Sequence, residues 1–215
     1  MIHVLNILYE TKQLIVCEKP VGIVSEEGGL PDRLREQLGG EIYCVHRLDK
    51  PVGGLMVFAR SSSAAAQMTK LITTGGLTKE YLAVVPDKLE ADSGVFVDLL
   101  YHDKVKNHSY VVKRVRRGVR EAQLRYEKLN TSSGNALVKI HLLTGRSHQI
   151  RCQFAARSMP LLGDAKYGSP TRDCDIALYA YRLRFVDPFT GSSVDITSFP
   201  KGKNWDELLK NVFSA

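Results

Sequence analysis

The chain has 215 residues, 44% of them hydrophobic and 25% charged, a mix that excludes a disordered or membrane-embedded composition. Its 30 Lys and Arg against 23 Asp and Glu leave a formal charge of +7, and the pI near 9.2 favours an anionic partner such as nucleic acid. Four scattered cysteines (Cys17, Cys44, Cys152, Cys174) form no CxxC pair, and no histidine pair stands at metal spacing, so neither a disulfide framework nor a metal site is expected.

The length allows one large domain or two merged lobes. The first residues lack the basic and apolar regions of a signal peptide, and no apolar run approaches the roughly 20 residues of a membrane span. A soluble, cytoplasmic protein is the expectation.

In chain order, residues 14–17 are a short apolar run ended by Glu18, Lys19 and Pro20, which reads as a strand entering a turn, with 21–24 continuing extended. Pro31 opens a short helix through Leu38, closed by Gly39 and Gly40. Two apolar runs, 42–45 and 55–59, read as buried strands around a polar loop. Ser61 to Ser63 are capping residues for a helix that carries Ala64, Ala65, Met68, Leu71 and Ile72 at helical spacing and stops at Gly75 and Gly76. Residues 78–85 (TKEYLAVV) read as a strand with Lys79, Tyr81, Ala83 and Val85 on one face. Alternating runs at 95–100, 122–129 and 136–142 are further strands, the last two joined by a turn-rich 130–135. Residues 176–186 and 193–198 form strands turned by 187–191, and 205–213 a closing amphipathic helix. Many strands and few helices predict an α+β domain with a large mixed sheet.

Three stretches carry chemistry. The first, VHRLDKPVGG at 45–54, places one carboxylate, Asp49, between Arg47 and Lys50 in a loop that Pro51 keeps out of helix and that Gly53 and Gly54 give a flexible exit. A loop ion pair of Asp49 with Arg47 or Lys50 is the purely structural alternative. Next, residues 104–120 hold seven cations (Lys104, Lys106, Lys113, Arg114, Arg116, Arg117, Arg120) and no acid. Tyr101, His102, His108 and Tyr110 flank or interleave them, which suits phosphate contact combined with base stacking; a solvated basic loop is the alternative. The third, LTGRSHQIRCQF at 143–154, reads as a strand end followed by a helix capped by Ser147, with Arg146, His148, Gln149 and Arg151 near a helix mouth suited to an anion.

In this order and spacing, VHRLDKPVGG, TKEYLAVV and LTGRSHQIRCQF closely resemble the RluA-type pseudouridine synthases, and LLGDAKYG and IALYAYRL look like that family too. The resemblance implies a single catalytic domain over residues 1–215, with a mixed, mostly antiparallel sheet flanked by helices and loops, and no separate N-terminal S4 RNA-binding module. It implies isomerisation of uridine to pseudouridine in a stem-loop of ribosomal or transfer RNA, by a cytoplasmic monomer with no cofactor or metal. Asp49 would be the catalytic aspartate, Tyr81 the active-site tyrosine and Arg151 the cation paired with the acid. Arg47 would help displace the target base, and Leu178 would line the pocket. His46, Arg146, His148 and Gln149 are candidate substrate contacts, and Lys104, Lys106, Lys113, Arg114, Arg116 and Arg117 candidate RNA contacts. Val52 and Gly53 depart from the Thr-Ser that the family commonly places there. An RNA-binding assembly or chaperone factor on the same fold is the competing reading.

Overall fold

The computed structural model describes residues 4–213. The chain falls into two compact units, Met1–Lys79 with Tyr179–Pro200, and Glu80–Leu178 with Lys201–Ala215.

The first unit is built on β1 (Ile7–Glu10), β2 (Leu14–Lys19), β3 (Tyr43–Cys44), β4 (Gly53–Ala59), β10 (Leu178–Val186) and β11 (Ser193–Thr197). β1 pairs β2, β2 pairs β4, and β11 pairs β10, all antiparallel, whereas β10 runs parallel to β4 at Tyr179–Gly53 and Ala180–Gly54. Every residue of β4 is buried, as a strand covered on both faces requires. On one face, Leu14, Val16, Leu55, Val57, Leu183, Phe185 and Val194 pack with Ala64 and Met68 of α2 (Ser62–Thr73). Full burial of a side chain such as Met68 contributes about 1.5–3 kcal/mol. The Ser61 hydroxyl accepts the Ala64 N–H and caps α2, as its sequence predicts. Helix α1 (Leu30–Leu38) has Pro31 in its first turn and ends at Gly39 with φ 70°.

The second unit orders its strands β5 (Thr78–Pro86), β9 (Asn135–Leu142), β8 (Val119–Ser132), β6 (Ser93–Asp103) and β7 (His108–Val112), all antiparallel. Helix α3 (Gln149–Ala155) lays Cys152 against Leu100 and Ala122, and Phe154 sits edge-on to Phe96 at 5.1 Å. The fold class is α+β, with mostly antiparallel strands and few helices, as the sequence predicts.

Several local expectations are corrected. Residues 21–24 turn instead of running extended, because their backbone serves the loop at 48–50 (Gly22 N–H to Lys50 C=O, 2.9 Å). The 130–135 linker is mostly strand; the turn narrows to Ser133 and Gly134, both at positive φ (51° and 76°), as a tight hairpin demands. The closing helix is a single turn, α4 (Asp206–Leu209). Ser147 does not cap α3: the cap residue is His148, left-handed at φ 53°, and the helix is seven residues long, too short to serve as an anion site.

Candidate active site

In the first unit, Asp49 opens a four-residue turn closed by the Val52 N–H on the Asp49 carbonyl (2.9 Å). The residues on either side are tied to the 19–25 segment. The Ser25 hydroxyl donates to the Leu48 carbonyl (2.8 Å) and accepts the Leu48 N–H (3.1 Å). Lys19 is fully buried, and its ammonium donates to the carbonyls of Pro20 (3.0 Å), Ile23 (2.7 Å) and Lys50 (3.2 Å). Burial lowers the Lys19 pKa to about 8, against which the Asp49 charge pulls it upward. A compact ammonium with three donors suits three converging carbonyls, and it also places positive charge near the acid. Asp49 itself is half-buried.

Gly53 and Gly54 are a close-approach device, in correction of the flexible exit expected from sequence. A Cβ on Gly54 would lie 2.3 Å from the Ala180 carbonyl oxygen, and one on Gly53 would press the Tyr179 ring and Val21 at 3.2 Å. A side chain at 53 would therefore need Tyr179 or Val21 to give by a few tenths of an ångström. Tyr179 in turn donates its hydroxyl to Glu18 at the end of β2.

Arg47 is exposed and forms an ion pair with Glu26 at 2.6 Å. His46 turns inward. Its Nε2 accepts the Val57 N–H of β4 (3.1 Å), and its buried Nδ1 has no hydrogen-bond partner among the described residues. That hydrogen bond fixes a neutral Nδ1–H tautomer, and burial, aided by Lys79, pushes the pKa down to about 3.

In the second unit, Tyr81 is buried in β5 opposite Ile140, and Leu178 is buried at the start of β10. Arg151 is buried on α3, with Nε and one terminal nitrogen on the two oxygens of Asp164 (2.7 and 2.8 Å). This bidentate clamp comes from the LLGDAKYG loop, whose Gly-punctuated sequence pattern alone points to no residue role. Three backbone bonds hold the loop: Leu162 N–H to Val84 C=O, Ala177 N–H to Leu162 C=O, and Val84 N–H to Ala177 C=O. Gly163, at φ 78°, has the Asp175 carbonyl oxygen 2.4 Å from where a Cβ would stand.

The other polar residues of the third motif serve the loop that leads into α3. The Gln149 side-chain oxygen accepts from the Thr144 hydroxyl (2.8 Å) and the Arg146 N–H (3.0 Å), while its amide nitrogen donates to the Gln123 carbonyl (3.0 Å). Arg146 is exposed, and its Nε donates to the Glu121 carbonyl (2.9 Å). His148 Nδ1 meets the Tyr167 hydroxyl at 2.9 Å.

The seven cations of 104–120 are all exposed. Lys104 and Lys106 lie in the β6–β7 turn, where the Asp103 carboxylate caps the N–H groups of Val105 and Lys106. The others follow β7: the chain leaves it opposite Leu99 and enters β8 opposite Tyr101, and Arg116 stacks over the Tyr101 ring at 4.7 Å. Both basic segments therefore flank one end of β6. Among the described residues no group of His, Cys, Asp and Glu is arranged to hold a metal ion, and no helix is long and apolar enough to cross a membrane.

A family model described as RNA pseudouridylate synthase matches residues 13–156. The chain is 30% identical to the uncharacterized RNA pseudouridine synthase YlyB of Bacillus subtilis (strain 168), over 97% of its own length and 73% of that protein. It is 29% identical to tRNA pseudouridine synthase C of Haemophilus ducreyi (strain 35000HP), over 97% of this chain and 96% of the relative. Among solved structures, human RNA Pseudouridylate Synthase Domain Containing 4 shares the fold with a TM-score of 0.77 at 22% identity, over 95% of this chain and 90% of that one. The motifs around Asp49 and Tyr81 and the whole helix bearing Arg151 fall within the matched span, and the chain belongs to the RNA pseudouridylate synthase family, a class of isomerases.

Proposed function

We propose that the chain converts a specific uridine of a structured RNA to pseudouridine, with Asp49 as the catalytic carboxylate. The observation that carries this reading is the support given to Asp49: its own carbonyl and the main chain on both sides are pinned by Val52, Ser25, Lys19 and Gly22. A reacting group needs a fixed position, and a loop held this tightly supplies one.

The reaction breaks the bond between ribose C1′ and uracil N1, turns the base, and rejoins it through C5, which gives up its proton while N1 gains one. An ionised carboxylate attacks C1′ or removes the C2′ proton, and the family resemblance assigns Arg151 as the cation that serves the acid. The target nucleotide leaves its stack at a cost of a few kcal/mol. Tyr81 offers the flipped base a stacking surface contributing about 1–3 kcal/mol, Arg47 takes the vacated space, and Leu178 lines the pocket. The cations flanking β6 hold the phosphate backbone, and loops or bulges are favoured because their bases splay readily. Transfer RNA is the substrate to try first, since a relative alignable over nearly its whole length carries that name.

The test is tritium release from unmodified transfer-RNA transcripts labelled at uridine C5. Asp49→Asn is expected to lower release by at least about 10³-fold while RNA affinity stays near that of the parent. Turnover at parental rate would remove Asp49 from the role.

A further inference from the structure

The GDAKYG loop carries a second residue bearing on Arg151. Asp164 and Tyr167 stand three apart across a single 3-10 turn (Ala165–Tyr167), a spacing that puts both side chains on one side of it. Asp164 grips the Arg151 guanidinium edge, and the Tyr167 ring lies beneath it, with the guanidinium carbon 5.0 Å from the ring centroid.

The Tyr167 hydroxyl reaches two other elements. It accepts the Ser109 N–H of β7 (2.9 Å), which leaves its own proton for His148 Nδ1 (2.9 Å) at the mouth of α3. Burial raises the Tyr167 pKa, so the phenol keeps that proton. Ser109 is itself buried, and its hydroxyl proton goes to the Ser147 carbonyl (2.6 Å). It therefore accepts from His102 Nδ1 (3.1 Å), which must carry a proton. His108 stacks on the Tyr167 ring at 4.2 Å. His148, the cap of α3, is held in a left-handed conformation that a non-glycine residue rarely adopts, three residues before Arg151.

We infer that Tyr167 is a positioning residue: it fixes the Arg151 guanidinium and, through Ser109 and His148, ties it to the basic β6–β7 hairpin. The inference rests on the proposed role of Arg151, and its experiment separates the two. Tyr167→Phe keeps the ring under the guanidinium and removes the hydroxyl links; Tyr167→Leu removes both.

Single-turnover pseudouridine formation on the same tritiated transcripts, at saturating enzyme, is expected to fall about 10-fold in Tyr167→Phe and about 100-fold in Tyr167→Leu. The RNA Kd should stay within about two-fold, since the exposed phosphate-binding cations are untouched. In parallel, the Arg151 Nε–H resonance of the RNA-free, ¹⁵N-labelled protein should exchange with water faster in both variants. An unchanged rate and unchanged exchange in Tyr167→Phe would overturn the inference, as would a loss confined to Kd. If the parent protein forms no pseudouridine, the functional reading fails, and the exchange measurement alone decides whether Tyr167 positions Arg151. Should Tyr167→Leu not fold, Tyr167→Phe decides.

Discussion

The loop around Asp49 and the helix bearing Arg151 are fixed by different means. Around Asp49, Lys19, Ser25, Gly22 and Val52 bind main-chain atoms of residues 48–50. Around Arg151, Asp164 binds the guanidinium itself, inside the protein. A loop held through its backbone keeps its shape when one side chain is exchanged, whereas a clamp built from a buried ion pair fails when either partner is removed. On the proposed roles, Asp49 is the replaceable part of one region, and Arg151 is the structural part of the other.

The largest effect should come from the clamp. Asp164→Ala breaks the buried Asp164–Arg151 ion pair and is expected to destabilise the protein by about 3–5 kcal/mol, read by urea denaturation. Asp49→Asn should cost far less in the same measurement. Equal losses would erase the contrast.

Next comes Lys19, the most deeply buried cation of the first region. Lys19→Met fills the space but takes the ammonium from the carbonyls of Pro20 and Ile23 and leaves the Lys50 carbonyl with the Gly22 N–H, with an expected loss of about 1–3 kcal/mol. Tritium release should fall with it, because the Lys50 carbonyl anchors the residue after the acid. Parental stability would mean that the loop holds itself without this anchor.

How much of this was legible beforehand depends on the kind of interaction. The three motifs, the α2 cap at Ser61 and the strand carrying Tyr81 follow from local pattern, and the family resemblance follows from those motifs. The supports do not. Lys19 reads as an ordinary turn lysine, since nothing in LIVCEKP reveals that three carbonyls converge on it from residues 20, 23 and 50. Gly53 and Gly54 read as flexibility because the strand that crowds them, at Tyr179 and Ala180, is far away in sequence. Ser147 looks like a cap by residue type, yet its carbonyl is engaged by Ser109, and the helix starts one residue later than a serine cap would set it. One signal was available: the Asp-x-x-Tyr spacing in GDAKYG places an acid and a ring on one turn, suited to hold a cation.

A smaller effect, confined to the first region, is read by pH. His46 has a folded pKa near 3, below the ordinary 6.5, so the unfolded chain takes up the proton first. Its contribution is present above pH 6.5 and is lost as pH falls towards 3, at no more than about 1.4 kcal/mol per pH unit. Lys19, also depressed, acts at the alkaline end, where stability rises between pH 8 and 10.5. His46→Gln can still accept the Val57 N–H and does not titrate, so its stability should change less than the parent's between about pH 7 and about pH 5. A parallel fall in both proteins would assign the acid sensitivity to other groups.

The smallest effect concerns the exposed Arg47–Glu26 pair, which at 59% and 58% side-chain exposure contributes about 0–1 kcal/mol. Stability should barely register its loss, but catalysis should. In the proposed role, Arg47 leaves Glu26 before it takes the place of an extruded base, so the ion pair would hold back that step by whatever it contributes. Glu26→Gln is therefore expected to raise the single-turnover rate, by up to about five-fold, and to do nothing in an Arg47→Ala background. The double-mutant cycle makes the prediction specific: a rate change of equal size in both backgrounds would mean that Glu26 acts on the RNA through its own charge and leaves Arg47 out of account. A gain confined to the Arg47 background would identify the pair as a resting contact that substrate must break, next to a carboxylate whose loop stays fixed throughout.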